Sequence, residues 1–113
     1  MLRLILADDE QYEREYLEKI IKESYPSLLE IVYKAVDGAD LMENLERCKP
    51  HIVLLDIKMP RMDGLDAAEE IRKRYPDIQI IVISAYSDFS YAKQALKLGV
   101  TDYLLKPYLD SEL

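Results

Sequence analysis

The sequence predicts a doubly wound α/β domain with a five-stranded parallel sheet, and three observations support that prediction. The chain has 113 residues, half of them hydrophobic, which is enough for one core but not for two. Short apolar runs alternate five times with stretches of helical periodicity, as in parallel sheets crossed by helices. The apolar runs at 52–55 and 78–83 lack polar alternation, which is typical of strands buried on both faces.

The elements can be placed in order along the chain. The predicted strands are Leu2–Ala7, Glu30–Val36, Ile52–Leu55, Ile78–Ile83 and Thr101–Leu105. The predicted helices are recognised by apolar residues at helical spacing, with polar residues such as Glu13 and Arg14 on the opposite face. The apolar residues of the four helices include, in order, Leu17 and Ile20, Leu41 and Leu45, Leu65 and Ile71, and Ala92 and Leu96. A fifth helix is expected to begin within Leu109–Leu113. We therefore expect residues 1–113 to be one domain that is truncated at the start of this helix.

Charge and cysteine content exclude several classes of function. Fifteen basic residues against 22 acidic ones give a net charge of −7, which argues against direct binding of nucleic acid by this domain. Cys48 is the single cysteine, so neither a disulfide framework nor a cysteine-based zinc site is expected. The N-terminal apolar run is too short for a signal peptide or a membrane span. We expect a cytoplasmic protein without membrane contact.

Polar residues at the strand ends indicate a functional site. Asp8 and Asp9 follow the first strand, Asp56 the third, Ser84 the fourth and Lys106 the fifth. In the flavodoxin-like strand order 2-1-3-4-5 the first and third strands are neighbours, so the three carboxylates should converge. Two carboxylates ~5 Å apart repel by roughly 3 kcal/mol at an effective dielectric constant near 20. A bound Mg²⁺, which prefers oxygen ligands, would offset this repulsion.

The other two residue types suit a phosphoryl group. The Lys106 ammonium and the Ser84 hydroxyl can both donate to phosphoryl oxygens. A carboxylate such as that of Asp56 can act as the nucleophile and form an aspartyl phosphate. Each residue also has an ordinary explanation: an acidic first helical turn, a strand-end hydroxyl or a surface lysine. The combination of all five favours a phosphoacceptor site.

Four segments resemble the receiver domain of bacterial two-component response regulators: Leu6–Glu10, Leu54–Pro60 with Asp63–Gly64, Ser84–Ala85 and Asp102–Pro107. The resemblance implies that Asp56 accepts a phosphoryl group from a sensor histidine kinase. It also implies that Asp8, Asp9, Asp56 and the backbone carbonyl of Lys58 bind Mg²⁺. Such a domain is not an enzyme with a separate substrate; it catalyses its own phosphorylation and dephosphorylation.

The resemblance also implies a switch. Ser84 would turn toward the phosphoryl group, Lys106 would pair with it, and the ring of Tyr103 would swing inward. The signal would leave through the face formed by the fourth helix and fifth strand, where homodimerisation is possible, and reach an output domain outside this chain. The stretches Ser84–Ala92 and Leu98–Tyr103 resemble receivers linked to AraC-type DNA-binding domains, which predicts regulation of transcription.

Two alternatives remain at this stage. A phosphatase with an aspartate nucleophile would use a similar fold, but the haloacid-dehalogenase pattern places a second Asp where Lys58 stands. The other alternative is a receiver that acts as an interaction module without being phosphorylated. The presence of all five site residues argues against this module without excluding it.

Overall fold

The computed structural model describes residues 1–57, 59, 62–84, 97 and 102–105, with the backbone only for Ser84 and for 102–105. The strands are β1 (Leu2–Ala7), β2 (Leu29–Ala35), β3 (Ile52–Asp56), β4 (Gln79–Ser84) and β5 (Asp102–Leu105), and the helices are α1 (Gln11–Ser24), α2 (Gly38–Cys48) and α3 (Gly64–Arg74).

All strand pairs are parallel, and the sheet order is β2-β1-β3-β4-β5. The prediction of a flavodoxin-like α/β fold is confirmed over the first four strands and three helices. Strand β5 lies next to β4 and is described by its backbone alone. The predicted helix through Ala92 and Leu96 and the helix start at Leu109–Leu113 lie outside the described residues.

Helices cover both faces of the sheet. On one face, α1 contributes Leu17, Ile20 and Ile21 to a core with Leu4, Leu6, Leu54 and Ile83. On the other face, α2 and α3 pack on the alternate residues of the same strands, among them Ile5, Val53, Leu55 and Ile80. Successive side chains of a strand point to opposite faces, so β1 and β3 are buried on both. None of the described helices is long and apolar enough to cross a membrane.

Several predicted limits of β2, β3 and β4 are wrong by one residue, and at two of them, the end of β2 and the start of β4, local hydrogen bonds compete with the sheet. The amide of Val36, predicted as the end of β2, donates to Asp40 Oδ2 at 3.0 Å, and the residue is 44% exposed. The amide of Ile78, predicted as the start of β4, donates to the Tyr75 carbonyl at 3.1 Å. Both residues therefore belong to the turns beside the sheet.

Both Asp-Gly pairs of the sequence start a helix. The side chain of Asp37 accepts from the Asp40 amide at 2.8 Å, and that of Asp63 accepts from the Asp66 amide at 2.9 Å, as preferred at an N-cap. The negative charge of Asp63, with a smaller contribution from burial, raises the pKa of the Asp66 carboxyl. The pair at 37–38 thus opens α2, and the pair at 63–64 opens α3.

Gly38 brings α2 against the connection between β3 and α3. A Cβ atom at this position would overlap the carbonyl oxygen of Met62 and lie 2.6 Å from the Met62 Cβ. Because backbone atoms form this contact, no rotamer change can relieve it. The connection that follows Asp56 is therefore in close backbone contact with α2.

We expect Gly38→Ala to lower the free energy of unfolding by about 1–3 kcal/mol, the range found for overpacked sites. Alanine has the better helix propensity, by up to about 1 kcal/mol, but this gain cannot offset a displaced backbone. Urea unfolding measures the difference. Lys19→Ala, an exposed position of α1, is the matched control and should stay within about 0.5 kcal/mol of wild type. A Gly38→Ala protein as stable as wild type would contradict the tight contact.

Candidate functional site

Three carboxylates meet at the carboxyl edge of the sheet. Strands β1 and β3 pair with Ala7 opposite Leu55, so the residues that follow, Asp8 and Asp56, come level with each other. One ligand oxygen from each of Asp8, Asp9 and Asp56 lies within 4.8 Å of the others. Asp8 is 1% exposed and Asp56 9%, whereas Asp9 is exposed. The site consists of two buried carboxylates with the third at its solvent side.

Hydrogen bonds fix the two buried aspartates. The Asp8 amide donates to the Ala35 carbonyl at 3.1 Å, which ties the end of β1 to β2. Oδ1 of Asp8 accepts from the Glu10 amide at 3.0 Å. Oδ1 of Asp56 accepts from the Ile57 amide at 3.0 Å, in a buried position. Each carboxylate is therefore oriented by the backbone that immediately follows it.

Gly64 lets α3 begin directly beside Asp56. A Cβ atom on Gly64 would overlap the Asp56 carbonyl oxygen and lie 2.8 Å from its carbonyl carbon. The Gly64 amide donates to the Ile57 carbonyl at 2.6 Å. The start of α3 thus holds the backbone on which the central carboxylate is carried.

The donor set fits a hard divalent cation. Three carboxylates this close together repel one another, and the repulsion is greatest where water is excluded. Mg²⁺ binds through one or two carboxylates and keeps several water ligands. Two buried oxygens with a third at the solvent side offer such a half-open site. Asp8, Asp9 and Asp56 are the described residues that would hold the ion.

The other predicted site residues are described in part or not at all. Lys58 and Lys106 lie outside the described residues. The backbone of Ser84 ends β4 one residue beyond Ile83, which pairs with Asp56, so Ser84 reaches the same edge of the sheet. The backbone of Tyr103 lies in β5 opposite Val82.

Arg14 contacts the site although its sequence position indicated only the polar face of α1. Its Nη1 donates to the carbonyl oxygen of Asp8 at 2.7 Å. Hydrophobic periodicity indicates which residues face away from the core, but it does not indicate which atoms an arginine side chain contacts. The available signal was spacing: Arg14 is four residues after Glu10, where α1 is capped, and so lies one helical turn above the acidic segment.

The chain matches the family model described as "Response regulator receiver domain" over residues 4–113. It is 39% identical over 114 residues to the transcriptional regulatory protein YesN of Bacillus subtilis (strain 168), with 100% of this chain and 30% of YesN covered. It is 34% identical over 105 residues to the transcriptional regulatory protein DegU of Brevibacillus brevis, with 93% of this chain and 44% of DegU covered. The chain thus spans less than half the length of these two relatives.

A solved structure of a response regulator is also similar to this chain. The crystal structure of a DNA-binding response regulator of the LuxR family from Staphylococcus aureus superimposes with a TM-score of 0.91 at 32% identity, with 99% of this chain and 92% of that chain covered. Because a LuxR-family protein is this similar, the AraC-type subgroup stays a prediction. The family match, the parallel fold and the converging carboxylates agree: the chain belongs to the response regulator receiver domain family.

Proposed function

We propose that this domain is a phosphorylation-activated switch of a two-component system, in which Asp56 accepts a phosphoryl group from a sensor histidine kinase in the presence of Mg²⁺. One observation carries the proposal: a buried carboxylate at the end of β3 lies within 4.8 Å of two others from the end of β1. Family membership supports the same role for this edge of the sheet. The domain would act on its own carboxylate rather than on a separate substrate.

In the proposed transfer, an Asp56 oxygen attacks the phosphorus of a phosphohistidine. The new O–P bond forms as the N–P bond breaks, and the kinase imidazole leaves with the electron pair of that bond. The Ile57 N–H, which donates to Asp56 Oδ1, keeps the carboxylate plane fixed during the attack. Bound Mg²⁺ would supply charge neutralisation at the phosphoryl oxygens. Asp8 and Asp9 would hold the ion, with the carbonyl of Lys58 as a further ligand.

The proposed output follows from the sheet. The phosphoryl group of the aspartyl phosphate would carry roughly −1.5 to −2 charge at pH 7, in place of the single charge of the free carboxylate, beside the end of β4. We place the Ser84 hydroxyl and the Lys106 ammonium as its partners and Tyr103 as the ring that responds. Since β5 pairs with β4 along its length, a shift at Ser84 would be transmitted to the strand that carries Tyr103.

The proposed setting is cytoplasmic transcription regulation. YesN and DegU are named as transcriptional regulatory proteins, which supports a DNA-binding output domain outside this chain. The AraC type remains our specific proposal for that domain. Phosphorylation would control it through the face of the fourth helix and β5, by docking or by homodimerisation.

Incubation with Mg²⁺ and acetyl phosphate is expected to add one phosphoryl group to the wild-type chain, and Asp56→Asn is expected to abolish the adduct because an amide is not a competent nucleophile. Intact mass spectrometry reads the result. Asp63→Asn is the matched control, since Asp63 also ends a loop and accepts a backbone amide but lies outside the acidic cluster. An adduct that persists in Asp56→Asn would assign the acceptor role to another residue, and no adduct in the wild type would favour a module that works without phosphorylation.

Asp9→Asn should weaken Mg²⁺ binding by about tenfold or more, since it removes a charged ligand from a site that uses few. Calorimetric titration of the unphosphorylated chain measures the affinity. Asp77→Asn changes an exposed carboxylate beside the start of β4, away from the site, and should bind Mg²⁺ like wild type. Equal losses in the two variants would mean that net charge, rather than the site, determines binding.

A further inference from the structure

We propose that Arg14 is a positioning residue for the acidic site, fixing the turn between β1 and α1 so that the carboxylates of Asp8 and Asp9 are correctly aimed. The inference rests on the proposed Mg²⁺ site. It assigns a second function to α1: besides covering one face of the sheet, the helix anchors the segment that carries two of the three ligands.

The contact is a charged donor on a backbone oxygen. Nη1 of Arg14 donates to the Asp8 carbonyl at 2.7 Å in a partly buried position, and charge-assisted hydrogen bonds of this length are among the stronger ones. The carbonyl of Asp8 and the amide of Asp9 belong to one planar peptide unit. Holding the carbonyl therefore sets the direction in which the chain enters Asp9, the exposed ligand.

The turn has particular need of this anchor. Helices α2 and α3 begin with an aspartate whose side chain accepts a backbone amide. At the start of α1, Glu10 stands at the N-cap and forms no side-chain capping bond. The backbone amide of Arg14 donates to the Glu10 carbonyl at 3.1 Å, so both its main chain and its side chain hold the turn.

The charge of Arg14 acts in two opposing directions. A cation near three carboxylates lowers their mutual repulsion while no ion is bound, and it repels an arriving Mg²⁺. If repulsion dominated, removal of the guanidinium would tighten Mg²⁺ binding. If positioning dominates, as proposed, removal weakens binding, because the turn no longer presents the ligands in one geometry. The two possibilities predict opposite signs.

The chain offers a matched control arginine. Arg72, on α3, donates Nη1 to the Pro76 carbonyl at 2.7 Å and Nη2 to the Ile78 carbonyl at 2.8 Å. It therefore also anchors a turn beside the sheet through backbone carbonyls, but this turn leads into the start of β4, at the edge away from the carboxylates. Arg72→Met removes a comparable interaction without touching the site.

The experiment is a calorimetric Mg²⁺ titration of the unphosphorylated chain and its variants, with urea unfolding of each. Arg14→Met, which keeps the apolar stem, is expected to weaken Mg²⁺ binding about tenfold, the lower end of the range for residues that orient metal ligands. Arg14→Lys, which keeps the charge and one donor, should recover most of the affinity. Arg72→Met should lose stability while its Mg²⁺ affinity stays within about twofold of wild type.

Wild-type or tighter Mg²⁺ binding by Arg14→Met would overturn the inference, and so would a loss of affinity in Arg72→Met equal to that in Arg14→Met. A lysine variant that binds as weakly as the methionine variant would also count against it. Asp9→Asn in the same series distinguishes failure of the proposed metal site from failure of the positioning role of Arg14. If Asp9→Asn binds Mg²⁺ normally, the proposed metal site itself fails; if only Arg14→Met does so, the site stands and the positioning role fails.

Discussion

The parallel pairing of β1 with β3 is the constraint on which the rest of the structure depends. Ala7 lies opposite Leu55, and this register alone brings Asp8 level with Asp56. A slip of one residue would turn every side chain of a strand to the other face. Both faces are filled here, by Ile5 and Val53 on one side and by Leu6 and Leu54 on the other, so a slip is disfavoured twice. The apolar core thereby determines the geometry of the acidic site.

Packing of the apolar core brings the three carboxylates together but does not offset the repulsion between them. The hydrogen bonds around the site act on the same groups. Backbone amides donate to one oxygen of Asp8 and one of Asp56, which orients both carboxylates. The Arg14 guanidinium adds a positive charge at the Asp8 carbonyl. None of these contacts places a cation between the carboxylates. The cluster is thus oriented by the fold, and a bound cation would still offset its charge.

Sequence reasoning predicted what depends on periodicity and strand ends. Apolar runs without alternation identified the central strands, and the parallel arrangement then predicted that Asp8, Asp9 and Asp56 would meet. It failed where a contact joins one element or turn to another, whether the two are near or far apart in sequence. The hydrophobic pattern does not indicate that Asp40 accepts a hydrogen bond from the Val36 amide or that Gly38 packs on Met62. The hydrogen bond from Arg14 to the Asp8 carbonyl was missed for the same reason, because the periodicity of one helix does not indicate its contacts with a neighbouring turn.

The two glycine contacts bear on where a signal could leave the site. After Asp56, the chain is held by Gly64 against the Asp56 carbonyl and by Gly38 against Met62. Both contacts are between backbone atoms in a close-packed region, which deforms little because interiors have few voids. A charge added at Asp56 therefore meets a stiff boundary on the side of α2 and α3. On the other side, only the backbone of β4 separates Asp56 from β5 in the sheet. Movement in response to that charge should accordingly follow β4 and β5, the side on which the resemblance places Ser84 and Tyr103.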